Sequence, residues 1–89
     1  MIKKKLEVVN KLGLHARAAA KLVATANKFK SDITLMKDEK KADARSIMKI
    51  LMLSASKGTS LTISIQGEDQ AKAMTSLTKL FEKGFDEGL

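Results

Sequence analysis

Seven residues, Ser60–Gln66, constrain this chain more than any others, because Leu61, Ile63 and Ile65 alternate there with Ser60, Thr62, Ser64 and Gln66. A period of two places the apolar side chains on one face of a strand and the polar ones on the other, so this strand needs a cover on one side only. The pattern recurs in residues 1–10, where Ile2, Leu6 and Val8 oppose Lys3, Lys5 and Glu7, and in residues 31–37 through Ile33 and Leu35. A polar turn over 37–40 and a short strand over 41–44 complete a hairpin.

Between these stretches the period changes. Residues 16–29 put Ala19, Leu22, Val23 and Ala26 at helical spacing, and the alanines are strong helix formers. Ser46 stands just before a short helix over 47–53 as its N-cap, since a serine hydroxyl can accept from a first-turn backbone N–H. After Gly67, with Asp69 as N-cap, Ala73, Met74, Leu77, Leu80 and Phe81 form one stripe of a third helix running to about Gly84. Helices with one apolar stripe and strands with one apolar face are satisfied together by a four-stranded antiparallel sheet covered on one side by three helices. The expected class is α+β, an open-faced β-sandwich of order βαββαβα, with 89 residues forming one domain.

Composition removes several functions. There is no cysteine and only one histidine, which excludes disulfides, thiolate metal sites and multi-histidine zinc; no metal or cofactor is expected. No apolar stretch approaches the ~18 residues that span a bilayer, so a soluble, cytoplasmic chain without membrane insertion is expected. The net charge of +7 points to acidic partners. Nucleic acid is disfavoured, because only three aromatics, Phe29, Phe81 and Phe85, are present and all fit a core.

His15 falls at the start of the first helix, in Gly13-Leu14-His15-Ala16-Arg17. Helix N-termini hold anions, because their first N–H groups lack intrahelical acceptors and the dipole is positive there. The backbone of Ala16 and Arg17 would cradle a phosphate and the Arg17 fork would stabilise it, while positive surroundings leave a ring nitrogen unprotonated and free to attack. The spacing alone also allows His15 to be merely a polar cap. In the second helix, Ile50 and Leu53 share one arc and Ile47, Met48, Leu51 and Met52 the opposing one, too much apolar surface to hide on one side. An exposed patch of these four, rimmed by Lys49, Arg45 and Arg17, suits docking to acidic partners.

The run Lys11-Leu12-Gly13-Leu14-His15-Ala16-Arg17-Ala18-Ala19 resembles the active-site segment of HPr, the histidine phosphocarrier family of the bacterial phosphoenolpyruvate-dependent phosphotransferase system. The likeness continues through Ser46-Ile47-Met48, Lys57-Gly58 and Gly67-Glu68-Asp69. It implies a stoichiometric carrier, not a catalyst in its own right, a monomer that takes phosphate from enzyme I on His15 Nδ1 and passes it to enzyme IIA domains, with Arg17 on the phosphate. It further implies regulation by an HPr kinase/phosphorylase at Ser46. Ala18 stands where many members have proline, and the run from Leu80 to Glu87 resembles NPr, the carrier of the nitrogen-related branch. From another class, a small basic binding module in which His15 does no chemistry remains the alternative.

Overall fold

The computed structural model describes residues 1–87. Strands β1 (Ile2–Glu7), β2 (Asp32–Lys37), β3 (Lys40–Asp43) and β4 (Ser60–Gln66) alternate with helices α1 (Ala16–Ala26), α2 (Ile47–Met52) and α3 (Gln70–Glu82), in the order βαββαβα. The sheet order is β1-β4-β2-β3 with every pair antiparallel, which matches the architecture expected from periodicity. Register brings the apolar positions into rows: Leu6 faces Leu61, and Leu35 lies between Ile63 and Ala42. These side chains are buried beneath the helices, whereas Lys3, Ser64, Thr34 and Asp43 form a polar row on the uncovered face.

Several boundaries move, each for a local reason. Helix α1 stops at Ala26 instead of reaching Phe29, because one guanidinium nitrogen of Arg45 gathers the carbonyls of Ala26, Phe29 and Ser31 at 3.1, 2.7 and 2.9 Å. Past Ala26 the N–H groups of Lys28 and Phe29 turn to i−3 acceptors, Thr25 and Ala26, so the helical ladder tightens and ends. The β2–β3 turn is reduced to Asp38 and Glu39, with Asp38 at φ +54°. Asp69 occupies the N-cap position of α3 without capping it. Its carboxylate accepts instead from the backbone N–H groups of Lys30 and Ser31 and from the Ser31 hydroxyl, tying α3 to the turn after α1.

Beyond α3 lies one 3₁₀ turn, Gly84–Asp86, that the periodicity does not announce. Phe85, at φ +56°, is fully buried, and its ring sits 4.9 Å from that of Phe81 at 58°. Lys21 of α1 donates to the Phe85 carbonyl at 2.9 Å. This anchor carries residue 87 back to the start of α1. Among the described residues, no helix is long and apolar enough to cross a membrane.

Candidate functional site

The loop from Asn10 to His15 is folded onto the segment between α2 and β4. Leu14 donates its N–H to the Ala55 carbonyl at 2.9 Å, and Gly13 N–H reaches the Asn10 carbonyl at 3.1 Å. Glycine is required at position 13: φ is +70°, and a Cβ there would stand 2.6 Å from the Ala55 oxygen and 2.9 Å from Ser56 Cα. The close approach fixes where α1 begins.

His15 is the N-cap residue of α1, with extended backbone (φ −81°, ψ −179°), and its side chain makes no capping bond. The polar-cap role left open by the spacing is therefore not the one the imidazole plays. Its carbonyl accepts from Ala19 N–H at 2.9 Å, so the helix closes behind it, and the N–H groups of Ala16, Arg17 and Ala18 have no acceptor among the described residues. These orphan donors lie at a positive helix end, where the sequence reading expected a phosphate cradle at Ala16 and Arg17. The Arg17 side chain is exposed and makes no hydrogen bond among the described residues, which leaves its fork free for a ligand. Ala18 is fully buried.

The imidazole is engaged from a direction that the sequence does not disclose. Nε2 of His15 lies against Oε2 of Glu87, and the second carboxylate oxygen accepts from Asn10 Nδ2 at 2.8 Å. The same amide nitrogen donates to the Gly13 carbonyl at 2.8 Å, while Asn10 Oδ1 is buried without a partner. An unpaired buried acceptor costs about 1–3 kcal/mol, so the loop holds this amide for its two donors. The Asn10 bond lowers the Glu87 pKa below its ordinary value, desolvation opposes it, and His15 and the charge of Arg17 add to the lowering. The surroundings of His15 are thus not purely positive, as the sequence reading held: a carboxylate stands on the ring. No short-range pattern links positions 72 apart.

Around α2 the structure places Ser46 as N-cap, its hydroxyl accepting from Lys49 N–H at 3.2 Å. Ile50 and Leu53 are buried, whereas Met48 and Met52 are 72% and 61% exposed and Ile47 and Leu51 are each 39% exposed. Leu12, in the loop before the site, is 69% exposed and was not singled out from sequence. Lys49 is exposed beside this patch, but Arg45 is not part of its rim, because its guanidinium points into the end of α1. Helices α1 and α2 pack together. Among the described residues, no group of histidine and carboxylate side chains could hold a metal ion.

Comparison with known proteins places this geometry in a family. Residues 2–83 match the family model described as PTS HPr component phosphorylation site. Phosphocarrier protein HPr of Xylella fastidiosa is 49% identical over 87 residues, covering 98% of each chain, and phosphocarrier protein NPr of Shewanella violacea is 40% identical, covering 97% of this chain and 94% of the relative. A crystal structure of HPr from Thermoanaerobacter tengcongensis superposes with a TM-score of 0.95 at 45% identity, covering all of both chains. With the sandwich, the helix terminus and the single histidine already in place, the match assigns the chain to HPr, the phosphocarrier family of the phosphotransferase system.

Proposed function

We propose that this chain is a stoichiometric carrier that takes a phosphoryl group from phosphorylated enzyme I on His15 Nδ1 and delivers it to an enzyme IIA domain. The observation that carries the reading is the N-terminus of α1. A nucleophilic ring stands as N-cap beside three backbone N–H groups without acceptors among the described residues, and the Arg17 guanidinium, which makes no hydrogen bond among them, lies in the same first turn. The transferring phosphoryl group is stabilised by positioned donors and charge more than by covalent chemistry of the protein. Ala16 and Arg17 supply the backbone donors and Arg17 the fixed charge. The exposed Ile47, Met48, Leu51 and Met52, with Lys49 beside them, form the docking patch for both partners, an apolar centre with a basic rim. No cofactor enters this chemistry, and the whole chain acts as one domain and as a monomer.

Ser46 is the regulatory position in this reading, modified by a kinase/phosphorylase of the HPr type. Its oxygen already faces the first N–H groups of α2, so added negative charge is compatible with the helix while opposing an acidic partner. The similarity to NPr favours a second reading of the branch, in which the same relay serves nitrogen-related regulation.

The test is a mass measurement after incubation with enzyme I and phosphoenolpyruvate. The wild-type chain gains one acid-labile phosphate and His15→Ala gains none, while it still folds. A wild-type chain that gains nothing is a binding module without phosphoryl chemistry. Transfer onward to sugar-branch or nitrogen-branch enzyme IIA then decides the branch.

A further inference from the structure

We propose that Asn10 and Glu87 are positioning residues that determine which nitrogen of His15 reacts. The consequence for transfer rests on the phosphocarrier reading; the geometry does not. An ionised carboxylate accepts hydrogen bonds and never donates them, so the ring nitrogen facing Glu87 Oε2, Nε2, carries the proton. The lone pair is then left on Nδ1, for which no hydrogen bond occurs among the described residues. The partner of one imidazole nitrogen sets the chemistry of the other.

Asn10 makes this arrangement directional. Its side chain is fully buried, with one amide contact to Gly13 and one to Glu87, while its oxygen stays unpaired. An amide placed for packing alone would turn to satisfy that oxygen. Here the two donors decide the orientation, and they join the loop backbone to the carboxylate that holds the ring. The segment that delivers Glu87 is itself fixed, by the buried Phe85 and by the Lys21 bond to its carbonyl.

The reaction balances without a proton shuttle. The Nδ1 lone pair forms the new N–P bond as the donor's own bond to phosphorus breaks, and the Nε2 proton stays where it is. The ring becomes a phosphorylated imidazolium whose positive charge faces the Glu87 carboxylate. In the opposite tautomer, Nδ1 would first have to lose its proton. The relay Gly13–Asn10–Glu87–His15 therefore removes a proton transfer from the phosphoryl step and neutralises the charge that the step creates.

His15 is the one histidine in the chain, so long-range ¹H–¹⁵N correlation of a labelled sample reads its ring without overlap. Wild type shows the Nε2–H tautomer and an exchange-protected Nε2–H proton. In Glu87→Ala the protected proton disappears and the Nδ1–H form grows in; Asn10→Ala, which loosens the carboxylate, moves the same way. Glu87→Gln retains an acceptor and so retains the tautomer, yet it loses the charge. Transfer from phosphorylated enzyme I slows by about tenfold in Glu87→Ala, the scale of a lost charge-assisted hydrogen bond, and by less in Glu87→Gln. Ring spectra of Glu87→Ala identical to wild type overturn the relay. Altered ring spectra in a chain whose wild type accepts no phosphate uphold the relay and sink the phosphocarrier reading instead.

Discussion

In the proposed reading Ser46 serves stability and control through the same atoms. Its hydroxyl accepts from Lys49 N–H and closes the first turn of a six-residue helix. Removing that cap in Ser46→Ala costs about 1 kcal/mol, a drop of roughly 4–8 °C for a domain of this size. Ser46→Asp keeps the acceptor, adds charge that the dipole favours, and holds or raises the melting temperature. In transfer assays with enzyme I the order reverses: alanine transfers normally and aspartate slows at least several-fold. Equal transfer rates for the two would reduce Ser46 to a cap. At this scale the sequence was generous where the site is written in consecutive residues, since Gly13 through Arg17 disclose the N-terminus of α1 and the histidine at its N-cap. It was silent on Asn10 and Glu87, whose roles arise from a contact between positions 77 apart.

Helix α2 divides cleanly into buried Ile50 and Leu53 and exposed Ile47, Met48, Leu51 and Met52. Met48, at 72% exposure, contributes little to the fold, so Met48→Asp should leave thermal stability nearly unchanged while weakening binding to enzyme I by tenfold or more, as loss of an interface centre does. Calorimetric titration beside a melt separates the two effects; a collapsed melting temperature with intact binding would make the residue core. Arg45 offers the opposite case. Sequence proximity placed it on the docking rim, whereas its guanidinium terminates α1 on three carbonyls. Arg45→Ala should therefore destabilise the fold by about 1.5–3 kcal/mol, the range for hydrogen bonds from a charged group, with docking affinity preserved in the folded fraction. Periodicity predicts that elements exist because it is a local property. It misjudges where α1 ends, because that boundary is set by a side chain 19 residues away.

Two carboxylates staple distant parts of the molecule. Asp69 joins α3 to the turn after α1, and Glu87 joins the final 3₁₀ turn to the site loop. Both have lowered pKa, Asp69 first through the Ser31 hydroxyl and then the Lys30 N–H, Glu87 first through Asn10. A carboxylate that is more acidic in the folded state stabilises it above the unfolded-state value, near 4, and that contribution fades as pH falls through the folded-state value. Melting temperature should thus be flat from pH 7 to about 5 and decline below 4. Asp69→Asn combined with Glu87→Gln should start lower at neutral pH and decline less steeply. An identical acid slope in wild type and the double variant would assign acid lability to other groups. The α+β class and sheet were legible because alternation and helical stripes have one economical assembly; these staples were not, since isolated acidic residues carry no period.

The sheet order β1-β4-β2-β3 also has a consequence in time. Strand β1 lies at one edge of the sheet, and its neighbour is β4, the last of the four strands in chain order. Leu6 waits for Leu61, the Asn10–His15 loop for Ala55, and the ring of His15 for Glu87, so each contact needs its own stretch of later chain. Closing such a long loop comes late and all at once. A nascent chain therefore exposes His15 well before the segments that seat the start of α1 and touch its ring have been made.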